Sequence, residues 1–194
     1  MKLEDIKRKP TLNDLFDVPG ELNWSKTAWM SESLNSKAKD IKWSSVGRNM
    51  NGTFNVDDST YVIEIQPDDY EINGKKYNYI NAAFHKIGPN NEPHYELQLN
   101  TKRPGLVIGC IFNGIFDKIK EYHYDALMFA ATEDIQKRMK FYNKVASLFS
   151  KNFKIICHDI KTKNGMCTIM IGYHVLNSDV SEFIEHIKEK QLTK

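Results

Sequence analysis

Apolar residues recur three or four positions apart in two stretches of the chain. The first stretch is Ile108, Ile111, Phe112, Ile115, Phe116 and Ile119, and the second is Ile135, Met139, Tyr142, Val145 and Phe149. This spacing lines up the apolar side chains on one face of a helix. The pattern therefore predicts amphipathic helices over residues 106–121 and 135–149.

Elsewhere the apolar pattern is that of strands. Alternating or continuous apolar runs occur at residues 61–66, 77–85, 95–100, 125–131, 153–160 and 166–175. The pair Asn73-Gly74 is a hairpin turn signal between the first two runs. Residues 41–100 are thus predicted to form an antiparallel meander. The order strand, helix, strand, helix, strand, strand that follows predicts an α+β fold with a mixed sheet.

Both ends of the chain differ from the middle. Residues 1–50 are polar, with a short helix predicted after Thr11, and they contain Trp24 and Trp29, which favour docking either onto the rest of the chain or onto a partner protein. Asp179 opens a capping-box variant that predicts a last helix. We expect an N-terminal extension over 1–50, a domain over 51–176 and a C-terminal helix over 177–194.

Charge and composition narrow the functional classes. The 194 residues are 41% hydrophobic and carry 27 basic and 25 acidic side chains, a net charge of +2, so nucleic-acid binding is not indicated by net charge. No apolar run approaches the ~20 residues of a membrane span. Cys110, Cys157 and Cys167 lie in apolar runs, which favours reduced thiols. We therefore expect a soluble, cytoplasmic protein.

Metal binding is not expected from the histidine pattern. The six histidines have no ligand spacing with cysteine or aspartate. His158 and Asp159 are neighbours in a predicted strand, where adjacent side chains point to opposite faces. The sequence therefore predicts no metal site.

The element order from Tyr77 onward and the segment Arg138-Met-Lys-Phe-Tyr-Asn-Lys144 resemble the GNAT acyltransferase family. They also resemble phage-encoded GNAT-like proteins, in which a strand like Leu127–Ala131 precedes an Arg-x-x-x-Tyr helix. The resemblance implies a mixed, mainly antiparallel sheet with flanking helices. Its central parallel strands, 95–100 and 125–131, would splay apart into a cleft.

The same resemblance implies roles for individual residues. Acetyl-CoA or another acyl-CoA would bind to backbone N–H groups where the first predicted helix begins, because helix N-termini favour phosphate. Tyr142 would be the general acid that protonates the departing thiolate, and Glu96 or Glu64 the base for an amine acceptor. The cofactor-binding set would be Arg103, Gly105, Leu106, Val107, Gly109 and Arg138.

The residues themselves also permit a structural interpretation. Tyr142 falls on the apolar face of its helix, as a packed core tyrosine does, and Glu96 lies in an alternating strand where it can face water. Leu106 and Val107 carry bulky side chains where close approach of phosphate needs small ones. Two functions follow. One is an acyltransferase acting on an unknown amine acceptor in a phage-infected host cytoplasm. The other is a non-catalytic GNAT-like phage protein, in the virion or bound to a host protein.

Overall fold

The computed structural model of the chain describes residues 40–94, 104–131, 135–148, 150–161, 163 and 165–193. Within these residues the strands form one open sheet in the order β1-β2-β3-β4-β6-β8-β7, with β5 paired to β4. The strands are β1 (Lys42–Val46), β2 (Asn49–Val56), β3 (Ser59–Ile72), β4 (Lys75–Ile87), β5 (Pro93–His94), β6 (Ala126–Ala131), β7 (Ile155–Lys161) and β8 (Met166–Ile171). The helices are α1 (Pro104–Tyr122), α2 (Ile135–Leu148) and α3 (Val180–Thr193), with a 3₁₀ turn at Ser150–Asn152.

The predicted α+β class with a mostly antiparallel mixed sheet is confirmed. The meander is confirmed for residues 42–87, since β1 to β4 pair antiparallel in chain order. Asn73 and Gly74 form its last turn with φ angles of 52° and 76°, the left-handed conformations that a two-residue hairpin requires. The sheet begins at Lys42, before the predicted domain start at residue 51. Trp24, Trp29 and the short helix predicted after Thr11 lie outside the described residues.

The sheet contains one parallel pair among its described strands, and it lies at the centre. β4 pairs with β6 only through Tyr79↔Ala126, Ile80↔Leu127 and Asn81↔Met128. Both strands continue beyond these pairs, β4 to Ile87 and β6 to Ala131, without pairing to each other. The predicted parallel partner, residues 95–100, lies outside the described residues. Within them the parallel partner of β6 is β4.

The two faces of the sheet carry separate apolar cores. Ile63 and Ile65 of β3 face the core that α1 and α2 cover, while Tyr77 and Tyr79 of β4 face the core under α3. All four side chains are buried. The period of two along each strand thus distributes the apolar side chains over both faces, and each face is closed by helices.

Helix α3 is attached to its face through a buried polar contact. Asp179 precedes the helix, as the capping pattern predicts, and the Tyr77 hydroxyl donates to its carboxylate over 2.7 Å. The same hydroxyl accepts the Leu176 N–H over 3.2 Å. The hydrogen bonds from Tyr77 and Ser178 hold the pKa of Asp179 below its ordinary value.

We expect Tyr77→Phe to lower the free energy of unfolding by about 1–3 kcal/mol, because it removes a buried hydroxyl that makes two hydrogen bonds. Since the pKa of Asp179 is depressed in the folded state, its contribution is present above the unfolded pKa of about 3.9 and is lost as the pH falls through the folded value. The loss should therefore be larger at pH 7 than at pH 2 in urea denaturation. Tyr70→Phe is the matched control, because Tyr70 is the cross-strand partner of Tyr77 and its hydroxyl lies 3.4 Å from the exposed Glu182. An equal effect of both substitutions would contradict the expectation.

In the described part of the chain, no helix has both the length and the apolar character needed to span a bilayer.

Candidate functional site

An aromatic cluster lies in the core that α1 and α2 cover, near the point where β4 and β6 stop pairing with each other. Its members are Phe84, Phe112, Phe129, Phe141 and Tyr142. Phe84 comes three residues after Asn81, the last residue of β4 that pairs with β6, and Phe129 comes directly after Met128, the last residue of β6 that pairs with β4. The other three come from α1 and α2. The cluster therefore lies beside the point from which the implied acyl-CoA cleft would open.

Phe112 joins the parts of this cluster. Its ring centroid lies 5.5 Å from that of Phe129, 5.9 Å from that of Phe141 and 6.4 Å from that of Phe84. These contacts have interplanar angles of 55–70°, the tilted and edge-on arrangements that aromatic quadrupoles favour. All three partners are buried. The cluster is a packed interior.

Tyr142 is enclosed in the same cluster. Its side chain is 2% exposed, and its ring stacks on Phe129 with centroids 5.1 Å apart and planes 17° from parallel. Burial raises the pKa of Tyr142 above its ordinary value, against the charge and the hydrogen bond of Arg138 one helical turn earlier. A phenol with a raised pKa gives up its proton less readily than tyrosine in water. The structure brings Arg138 and Tyr142 together as a buried pair within α2.

The start of α1 holds the other implied cofactor residues. Pro104 is the first helical residue, a position that suits proline because its missing N–H has no intrahelical partner there. Gly105, Val107 and Gly109 are buried and Leu106 is half-buried. Val107 belongs to the same core as Tyr142. Glu96 and Arg103 lie outside the described residues, so their implied roles stay predictions.

Glu64, the other implied base, lies on the opposite face of the sheet from Tyr142. Its neighbours Ile63 and Ile65 face the core of α1 and α2, so alternation turns Glu64 away from it. There its carboxylate lies 3.5 Å from Nδ1 of His85, whose pKa is lowered by burial and raised in part by Glu64. Glu64 and Tyr142 therefore do not share a site.

A polar group around Asn143 was not predicted. Oδ1 of Asn143 lies 2.8 Å from Nδ1 of His158 and accepts the Thr168 hydroxyl over 3.1 Å, while its Nδ2 lies 3.4 Å from Asp159. The expectation that His158 and Asp159 point to opposite faces is wrong. A β-bulge between Cys157 and Ile160 places Asp159 in the left-handed region, with φ of 55°, so that both side chains reach Asn143.

The cysteines are not placed as nucleophiles, and the described residues hold no cluster suited to a metal ion. Cys110 and Cys167 are buried, Cys157 is half-buried, and burial raises the pKa of Cys167 to about 11. Such thiols are weak nucleophiles at neutral pH. Among the described residues, no three His, Cys, Asp or Glu side chains are grouped closely enough to hold a metal ion.

Neither a protein-family model nor a curated protein matches this sequence.

Proposed function

We propose that this chain is a GNAT-like binding protein that does not catalyse acyl transfer through Tyr142. The observation that carries the proposal is the enclosure of the Tyr142 hydroxyl, which is buried among aromatic rings and hydrogen-bonded to Arg138. A general acid must reach the group that it protonates, either directly or through one water molecule. The aromatic cluster leaves Tyr142 a structural role in the core.

The GNAT-like part of the proposal is supported by the sheet and the helices. The centre of the otherwise antiparallel sheet holds one parallel pair among the described strands, β4 and β6, which stops pairing after three residues. The resemblance implies a splayed pair of this kind but assigns it to residues 95–100 and 125–131, and 95–100 lie outside the described residues. α1 and α2 flank the pair of β4 and β6 in the implied order. A fold of this kind hosts binding as well as catalysis, because function resides in the site and not in the fold.

Tyr142→Phe separates a structural role from a catalytic one. If the hydroxyl only accepts the hydrogen bond of Arg138 within the core, the substitution should lower the free energy of unfolding by about 1.5–3 kcal/mol, the range for a hydrogen bond to a charged group. Acetyl-CoA should then leave the stability of wild type and variant unchanged. Thermal and urea denaturation with and without acetyl-CoA measure both quantities. Tyr122→Phe, an exposed position on α1, controls for the loss of a hydroxyl.

A second candidate is the acyltransferase itself, acting on an amine acceptor. It is favoured by the end of the pairing between β4 and β6 at Asn81 and Met128 and by the glycines in the first turns of α1. Saturating acetyl-CoA, at a hundred times its dissociation constant, should then add ~2.7 kcal/mol to the stability. Tyr142→Phe should lower the rate of thiol release by ~10²–10⁴ with an amine acceptor. These two results together would replace the binding proposal.

A further inference from the structure

We propose that a cavity at the C-terminal end of α1 binds a small phosphate monoester with an aromatic or apolar body. The cavity measures about 470 Å³ and lies between the end of α1, the 3₁₀ turn Ser150–Asn152 and the segment that follows β8. Pockets of this size are typical of small-molecule sites. The 19 residues of α1 span roughly 28 Å, so this site is remote from the helix start that the acyl-CoA would use. Tyr142 does not line this cavity.

Four basic side chains from three segments of the chain line the cavity. Lys120 comes from α1, Lys151 from the 3₁₀ turn, His123 from the residue after α1 and His174 from the segment after β8. No carboxylate residue is among the described lining residues, although acidic and basic residues nearly balance in the whole chain. Asn152 adds a neutral amide. Lysine ammonium groups bind phosphate as point charges, and imidazole and amide N–H groups donate to its oxygens.

The two lysines are available to a ligand. In the described part of the chain, neither Lys120 nor Lys151 has a carboxylate within ion-pair distance, whereas Lys118, two residues before Lys120, pairs with Glu121 over 2.7 Å. Lys120 also lies in the last turn of α1, where a cation offsets the negative end of the helix dipole. Lys151 is not in α1, so the helix dipole does not explain why Lys120 and Lys151 line the same cavity.

The floor of the cavity is apolar. Phe116 and Phe153 are buried, with ring centroids 5.8 Å apart, and Ile119 lies beside them. Tyr124 and the largely exposed Tyr173 add aromatic surface to the lining. An inorganic anion would use only the basic groups, whereas a ligand with an aromatic body would also cover this floor. The combination favours an ester over free phosphate.

His123 occupies a backbone position that glycine usually takes. Its φ is 54°, and the Tyr124 N–H donates to the Ile119 carbonyl over 3.2 Å, so α1 ends in a Schellman-type turn. A side chain in this left-handed position is strained relative to glycine. His123→Gly therefore removes the imidazole from the cavity and relieves the backbone at the same time.

Isothermal titration calorimetry of the full chain with phenyl phosphate tests the site. We expect saturable binding of phenyl phosphate, weaker binding of inorganic phosphate and none of phenol. The double variant Lys120→Gln/Lys151→Gln should raise the dissociation constant about tenfold or more, since each lysine supplies a charge-assisted hydrogen bond. Lys140→Gln, which removes an exposed charge of α2 outside the cavity, should leave it unchanged.

His123→Gly distinguishes a binding role from a structural one. It should weaken phenyl phosphate binding while the melting temperature stays the same or rises. Asn91→Gly, which relieves a φ of 62° in an exposed turn, should leave binding unchanged. Absence of saturable binding at millimolar phenyl phosphate, or equal affinity in the double lysine variant, would overturn the proposal. Acetyl-CoA also carries phosphate groups, so an acetyl-CoA effect lost in the double lysine variant but kept in Tyr142→Phe would belong to this cavity.

Discussion

Phe112→Ala should lower the free energy of unfolding by about 3–5 kcal/mol, the range for truncation of a buried core phenylalanine. Phe112 has no exposed surface and contacts aromatic rings from β4, β6 and α2. Removing its ring leaves a cavity whose lining is held by two strands and a helix, so the site has little freedom to collapse. Urea denaturation followed by circular dichroism measures the loss.

Two comparisons make this expectation specific to the aromatic cluster. Tyr122→Ala truncates an aromatic side chain of the same helix that is 49% exposed, and it should cost about 1 kcal/mol or less. Phe112→Leu fills most of the volume and should cost less than alanine does. A loss below 1 kcal/mol for Phe112→Ala would mean that the cluster is loosely packed. Tyr142, which packs in the same cluster, would then not be firmly enclosed either.

The helices could be predicted because their apolar residues keep one period throughout. The first stretch of regularly spaced apolar residues predicts a helix over 106–121, and α1 runs from Pro104 to Tyr122. The second predicts 135–149, and α2 covers Ile135–Leu148, with residue 149 outside the described ones. In both cases one helix face is buried against the sheet, so periodicity and packing agree.

The strands were harder to predict, because pairing continues where the apolar pattern stops. β3 extends to Ile72 through Pro67, Asp68 and Asp69, which interrupt the alternation but still pair with β4. The bulge at Asp159 likewise has no apolar signal, since an extra residue shifts the period only locally. Pairing partners depend on the whole sheet, and the parallel contact of β4 with β6 joins residues that are far apart in the chain.

The two candidate sites also differ in how far the sequence predicts them. Arg138 and Tyr142 are four residues apart on a helix, a spacing that places them side by side. Tyr142 also falls among the regularly spaced apolar residues of that helix, which predicts its burial. The basic cavity has no such signal. Lys120, Lys151 and His174 come from three segments with no shared motif, and only the fold brings them together.

The core under α3 also contains a fully buried phenylalanine whose truncation should lower stability strongly. Phe183 of α3 has no exposed surface, and its ring centroid lies 5.4 Å from that of Tyr77 and 5.7 Å from that of Tyr79. We expect Phe183→Ala to lower the free energy of unfolding by about 3–5 kcal/mol. The loss should include the attachment of α3, because this ring lies at the centre of the contact between the helix and β4 and the Tyr77–Asp179 hydrogen bond lies at the start of the same helix.

Hydrogen exchange can separate loss of the helix from loss of the whole fold. If α3 detaches first, amide protection should fall in residues 180–193 of the Phe183→Ala variant while β4 and β6 stay protected. Ser181→Ala, an exposed position in the first turn of α3, should change stability by no more than about 0.5 kcal/mol. Uniform loss of protection across the sheet would show that both cores unfold as one unit, and the last helix would then be part of the domain rather than an appendage to it.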